Sequence, residues 1–368
     1  MRYYIYLLLA VLFFYCSTPN QKKKFINNNN ISVFDSIQIN ESNITYDKQN
    51  KNTIIFHNIT SFSIFIYDKT SKKLKTFNNF GDNFDKHGYI LNNINFYNDT
   101  IIAIGKTKGV NLYNFKGKFI NYLPIHRDKQ AYSPISNILF LNDSMLVYKE
   151  SIGNGYSSNP NNYKLNEHIG RIYHLKKGLL RKFGRFPENK SVYNDPKYFY
   201  SYPFLFTFNK KKSYIYTLSW NDPNIYQYEI KTGQLTHSYN LDLIHYSPYK
   251  TNFNENNELN MDKIILANYQ NSEIYNFDLN DSLFFIAYTK AFDKDGAIKA
   301  LANDEEKRNC LHIRNRSGKI LYDDILPEYL GKFMFEENDT LYFLGKTTEK
   351  SENENYSTLY MAKLSENK

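Results

Sequence analysis

Residues Ile274–Tyr288 read Ile-Tyr-Asn-Phe-Asp-Leu-Asn-Asp-Ser-Leu-Phe-Phe-Ile-Ala-Tyr. Two runs rich in apolar and aromatic residues flank an Asn-Asp-Ser step, the pattern of two strands joined by a tight turn. Asn and Asp suit such a turn because their short side chains bond nearby backbone and tolerate the left-handed region. The same step recurs as Asn98-Asp99-Thr100, Asn142-Asp143-Ser144 and Asn338-Asp339-Thr340, each time between two apolar runs. A supersecondary unit repeated along one chain stacks against its own copies, so the repeat decides the architecture.

Beyond each Asn-Asp hairpin a second hairpin follows or is implied. Its turn is Lys116-Gly117-Lys118, Lys177-Gly178-Leu179, Thr232-Gly233-Gln234 or Ser317-Gly318-Lys319, where Gly supplies the positive φ that short hairpin loops need. Two degenerate units keep the same phase, one from Ile44 to Phe77 and one from Phe204 to Tyr239, which brings the total to six four-stranded units. The last unit ends after its third strand (Ser357–Leu364), whereas a spare strand, Ile31–Ile39, precedes the first unit. Pairing the spare strand with the incomplete unit removes both exposed edges. The expectation is an all-β, six-bladed β-propeller of four-stranded antiparallel blades over residues 31–368, closed by the N-terminal strand joining the last blade.

The N-terminus carries an address. Arg2 precedes an apolar run from Ile5 to Phe14, too short to span a bilayer and suited to a signal-peptide h-region. Cys16 follows directly, and the arrangement resembles the lipobox of bacterial lipoproteins, in which the thiol is acylated and becomes the new N-terminus. Residues 1–16 are therefore read as a signal peptide with Cys16 as the lipidation site. Residues 17–30, rich in Lys and Asn and without periodicity, are read as a flexible tether. Cys310 is the only other thiol, so the fold relies on its core and not on an internal disulfide.

Of the 368 residues 17 % are aromatic, 34 of them Tyr, which favours strands. The formal charge of +9 comes from lysines scattered through turns, and is read as a surface property without a nucleic-acid partner. No Gly-rich phosphate loop, His-Glu-x-x-His helix, cysteine cluster or Gly-x-Ser-x-Gly elbow occurs, so no cofactor, metal or catalytic residue is assigned. Asp293-Lys294-Asp295-Gly296 resembles part of a calcium loop, but Ala291 stands in the first ligand position and the reading is a plain turn.

In a four-stranded blade the turns between strands one and two and between three and four share one end, and all other connections lie at the opposite end. The long excursions fall in the second class: Ser151–Ile169, Lys290–Arg308 and Lys346–Tyr356 within blades, and Arg185–Tyr202 and Asp242–Glu273 between them. Long loops on one side of a rigid scaffold concentrate binding residues. The ligand-binding candidates are Tyr156, His168, Tyr198, Tyr202, Trp220, Asn221, Asp222, His245 and Tyr246, because aromatic faces beside amides and acids suit a glycan, a peptide or a protein surface. A short helix is expected over Leu259–Tyr269.

The whole pattern of signal, Cys, tether and six blades resembles the six-bladed propeller lipoproteins of Bacteroidetes, a group of unknown function. Its local marks are Phe80-Gly81-Asp82 and Phe183-Gly184-Arg185, each just after an outer strand. The resemblance implies an envelope-facing binding or scaffold protein and transfers no catalytic residue. Together with Cys16, Ser17 and the loop placement, the expectation is a lipid-anchored, non-catalytic protein at the outer membrane that binds a glycan, peptide or partner protein through its loop face. The alternative is a propeller hydrolase or lyase acting on a polysaccharide or lactone-like substrate.

Overall fold

The computed structural model describes residues 29–41, 43–58, 60–79, 81, 83, 85–86, 94–126, 135–149, 170–184, 204–209, 211, 213–219, 222–247, 266, 269–303, 305–345, 348–351 and 354–366. Strand β1 (Asn29–Ile39) is followed by blade one, made of β2 (Ile44–Gln49), β3 (Thr53–Asn58), β4 (Ile64–Asp68) and β5 (Lys73–Phe77). Blade two holds β6 (Ile94–Asn98), β7 (Ile101–Lys106), β8 (Gly109–Asn114) and β9 (Phe119–Pro124). Blade three holds β10 (Ser136–Asn142), β11 (Met145–Lys149), β12 (Gly170–His174) and β13 (Gly178–Phe183). Blade four holds β14 (Phe204–Phe208), β15 (Tyr214–Ser219), β16 (Asp222–Glu229) and β17 (Leu235–Asn240). Blade five holds β18 (Ile274–Leu279), β19 (Leu283–Thr289), β20 (Asn309–Asn315) and β21 (Ile320–Ile325), with helix α1 (Lys294–Asn303) between its second and third strands. Blade six consists of β22 (Lys332–Glu337), β23 (Thr340–Leu344) and β25 (Glu354–Glu366), with β1 as its outer strand and β24 (Thr348–Ser351) folded onto the start of β25.

The closure expected from sequence is present. β1 runs antiparallel to β25, with Asp35 opposite Met361 and Ile39 opposite Ser357. Strand β1 starts at Asn29, inside the stretch read as tether. The excursion Lys346–Tyr356 is not all loop either, since Thr348 pairs with Tyr356 in a hairpin extension.

Six sheets form a ring because each presents apolar residues on both faces. Along a strand successive side chains point to opposite sides. In β3, Ile55 therefore packs with Ile94, Ile102 and Tyr113 of blade two, while Ile54 and Phe56 pack with Met334 and Phe335 of blade six. Phe285 and Phe284 of β19 divide in the same way between blades six and four. Every wedge between neighbouring blades is filled, including the one between six and one, where Lys69 Nζ also lies 2.5 Å from Glu337 Oε2.

The hairpin chemistry explains the turns. Asn98, Asn142 and Asn280 each accept, on Oδ1, the backbone N–H two residues ahead, at 3.0, 2.9 and 3.0 Å. The fourth copy differs, with Asn338 and Asp339 both left-handed (φ 52° and 60°), the pattern of a type I′ turn. Gly117 has φ 75°, and a Cβ there would meet the Phe77 ring at 2.6 Å, so both conformation and the neighbouring blade demand glycine. Blade one lacks that glycine and places Lys72 at φ 53° instead, with Asp68 Oδ1 holding the Thr70 and Ser71 N–H groups at 2.9 Å.

Neighbouring inner strands are stitched by asparagine. Asn276 Nδ2 donates to the carbonyls of Phe333 and Met334 at 3.1 and 2.5 Å, and Asn95 Nδ2 donates to Ile138 O. The Phe-Gly step also gains a physical account at its second copy. Phe183 is buried 5.6 Å from Phe206 and 5.7 Å from Tyr228 of blade four, and Gly184 turns the chain away at φ 66°. Phe183→Ala is expected to cost about 3–5 kcal/mol in urea unfolding, whereas Phe34→Ala, at a ring left 57 % exposed, should change stability by less than about 0.5 kcal/mol.

Candidate functional site

The two ends of the disc differ. Turns between strands one and two, and between three and four, form a short-turn face; the chain leaves for all other connections from the opposite, loop face. On the loop face the chain leaves β19 at Thr289 and returns at Arg308, whose carbonyl accepts the Lys290 N–H at 2.8 Å. Between them Asp293 caps α1, its Oδ1 accepting the Gly296 N–H at 2.7 Å, and that helix-capping role accounts for the partial calcium-loop pattern. The helix buries Ala297 and Ala300 and leaves Ile298 and Leu301 exposed. Glu305 N–H bonds Ala300 O at 2.8 Å and turns the chain back toward β20.

That return stretch faces the linker between blades five and six across a cavity of about 520 Å³, walled by residues 305–309 on one side and by Leu326, Pro327, Glu328 and Gly331 on the other. The walls are fixed. Leu326 and Leu330 are buried in the core between blades five and six, Leu326 N–H bonds Asn309 O at 2.8 Å, and Asn309 Nδ2 bonds Gly331 O at 2.9 Å. Lys307 is a strut and not a free cation: its Nζ lies 3.3 Å from Glu273 Oε1 and 3.1 Å from Asn271 O, and burial lowers its pKa. The exposed side chains of Arg308, Glu305, Glu306 and Glu328 stand on the wall, beside the half-buried Pro327. Such a wall can pair both donors and acceptors of a polar ligand. Among the described residues no cluster of His, Cys, Asp and Glu could hold a metal ion.

A second group of titratable residues lies along the inner strands. Asp278 of β18 accepts the Glu336 N–H at 2.9 Å, and burial raises its carboxyl to about 6 despite that bond and the field of Lys48. Lys48 of β2 is lowered by burial and raised by the field of Asp278, so charges of blades one and five act on one another. Asp47, the extra residue of a β-bulge, lies 2.7 Å from His57 Nδ1 and is likewise raised to about 6 by burial. Near the loop end of blade three, burial pulls Lys149 down to about 8.

Among the sequence candidates, Cys16, Tyr156, His168, Tyr198, Tyr202, Trp220 and Asn221 lie outside the described residues, as does most of the helix expected over Leu259–Tyr269. Asp222 opens β16 with its backbone opposite Ser219 at the end of β15, and its side chain lies outside the described residues. His245 and Tyr246 lie in the linker after blade four and do not wall the cavity. They dock on a buried network in blade five. Tyr288 Oη donates to Asp323 Oδ1 at 2.8 Å, Asp323 Oδ2 accepts the Ile244 N–H at 3.0 Å, and His245 N–H donates to Tyr288 Oη at 3.3 Å. The Tyr246 ring meets Tyr288 edge-on at 6.2 Å, and His245 Nε2 stands 3.6 Å from Asp324 Oδ1. His312 Nδ1 lies 2.9 Å from Asp323, and the fully buried Cys310 thiol is pushed up to about 12, which removes it as a nucleophile. The cavity residues carried a weak signal in sequence, the charge run Glu305-Glu306-Lys307-Arg308, which reads equally as a solvated turn.

No protein-family model matches the sequence, and no curated protein matches it. Solved structures do. A member of the DUF4221 family from Bacteroides vulgatus ATCC 8482 superposes with a TM-score of 0.65 at 13 % identity, over 92 % of this chain and 99 % of that one. A protein from Bacteroides fragilis NCTC 9343 named as a candidate exported protein superposes with a TM-score of 0.54 at 11 % identity, over 90 % and 94 % of the two chains. At these identities the likeness is one of fold.

The raised carboxyl of Asp278 has a signed consequence. Its folded pKa, about 6, exceeds the ordinary carboxylate value, so the stability it contributes is present below about pH 4 and lost as pH rises through 6. Asp278→Asn, which mimics the protonated acid, should therefore gain about 1–2 kcal/mol over the wild type between pH 4 and pH 7. Urea unfolding of both proteins at the two pH values checks this; a constant difference would refute it.

Proposed function

We propose that this chain is a lipid-anchored, non-catalytic propeller of the bacterial cell envelope that holds a glycan or peptide, free or carried by an envelope partner, on its loop face. The observation that carries the reading is the cavity of about 520 Å³ between the 305–309 stretch and the linker to blade six. Its size lies in the usual range for small-ligand sites, roughly 300–1,000 Å³. Its wall residues bring a guanidinium and three carboxylates around it, which suits the hydroxyls of a glycan or the amides of a peptide. Two of the long loops named from sequence, Lys290–Arg308 and the end of Asp242–Glu273, brace it through Lys307.

The envelope assignment draws on Cys16 immediately after an h-region, with Ser17 beside it, and on a fold neighbour named as a candidate exported protein. Membrane attachment is through the acylated thiol, at the outer membrane, with no nucleic-acid partner. Cys16→Ala should abolish incorporation of an alkyne-labelled fatty acid and release the protein from the membrane fraction. Persistent labelling of that variant would exclude the anchor.

Ligand capture is tested with the full-length protein on panels of glycans and of peptides. Arg308→Ala should weaken the selected ligand at least about tenfold, the loss expected for one charge-assisted hydrogen bond, with an unchanged unfolding midpoint. Undiminished affinity in both Arg308→Ala and Glu328→Ala would remove the cavity from the reading.

A further inference from the structure

The opposite face carries its own pattern. Each of blades one to five has a turn between its third and fourth strands, and every one bears exposed lysine: two each in blades one to three, then Lys231 and Lys319. The acids beside these turns are Asp68 and Glu229, and both are engaged, Asp68 with the Thr70 and Ser71 N–H groups and Glu229 Oε2 with the Thr232 hydroxyl at 2.7 Å. Lys72 stands 3.5 Å from Asp35 yet leaves 63 % of its side chain in solvent. The inner turns, between strands one and two, carry exposed Asp99, Asp143, Asp281 and Asp339 against Lys51 and Lys211. The inner turns thus carry both signs, whereas positive charge runs around the rim.

Blade six has no such outer turn. Asn29 stands there opposite Glu366, because β1 enters the sheet at this end. The chain preceding β1, with Lys22-Lys23-Lys24, therefore joins the disc at the short-turn face. From Cys16 to Asn29 the backbone spans at most about 45 Å even when fully extended.

We infer that the short-turn face is a docking surface for an anionic lipid headgroup layer, which seats the disc on the membrane with its loop face turned away. A planar anionic lattice meets all the rim lysines at once, whereas a small anion meets one turn and a polyanion strand follows only an arc. Lysines at an anionic surface attract within about a Debye length, roughly 8 Å at physiological salt, and the point of chain entry brings this face within reach. The charge pattern stands whether or not Cys16 is acylated, so it is separable from the anchor.

The test uses the full-length chain with phosphatidylcholine vesicles, with and without phosphatidylglycerol. Retention on neutral vesicles reports the anchor alone; the increment on anionic vesicles reports the face. That increment should appear, fall with added salt, and drop at least about tenfold when Lys116, Lys118, Lys176 and Lys177 are all changed to Glu. Amide exchange of the wild type on anionic vesicles should slow over residues 115–118 and 175–177 and stay unchanged over 305–309, which decides the matter even if the reversed variant fails to fold. No increment, slowing at 305–309 instead, an equal increment in the folded reversed variant, or tighter binding to single-stranded nucleic acid than to anionic vesicles would each overturn the proposal.

Discussion

Each blade is too thin to own a core, and this constraint shapes everything else in the molecule. The apolar side chains of one sheet are divided between two wedges, as with Ile54 and Ile55, or Phe284 and Phe285. A wedge is dry only when both neighbouring blades are present. With six wedges for six blades, each blade face among the described residues is covered by a neighbour, and the ring is the arrangement that achieves this. Inter-blade polar contacts follow the same logic: Asn95 and Asn276 spend side-chain amides on the carbonyls of the next inner strand, where a buried unpaired group would be costly.

With the scaffold closed by apolar packing, the ends of the disc are free to specialise. On the loop face, buried contacts hold the described linkers after blades four and five, and a cavity opens between the latter and the 305–309 stretch. The network of Tyr288, Asp323 and His312 does for the linker after blade four what Leu326 and Leu330 do for the linker after blade five. Charges along the inner strands act within a blade, as Asp47 on His57, and between blades, as Lys48 on Asp278, and the cost of burying them appears as the raised carboxyls of Asp47 and Asp278.

The fold was legible because hairpin turns impose local demands. Asn at the first turn, Gly at positive φ in the second, and alternation in between can be seen without knowing any distant contact. The surplus first strand and the incomplete last unit made closure readable from the two ends of the chain alone. The site was much less legible. His245 and Tyr246 were chosen as polar aromatic loop residues, but their surroundings come from Tyr288, Asp323 and Asp324 of the next blade, which sequence spacing cannot reveal. Arg308 and Glu328 stand on different connections, and their charges look like ordinary solvated turns until the chain is folded. Asn276 is a poor strand former in the middle of a strand, and its role emerges only beside Phe333 and Met334.

The closing pair, Ile37 opposite Leu359 and its neighbours, also governs the order of assembly. A nascent chain delivers β1 before any blade and its partner β25 only with the sixth, so this strand waits unpaired while five blades are made. Until β25 arrives, the growing arc has two bare flanks and the seam next to blade one stays wet. Closing so long a loop is entropically slow. A chain threaded across a membrane before folding would avoid that exposed interval, because both partners of the seam become available together.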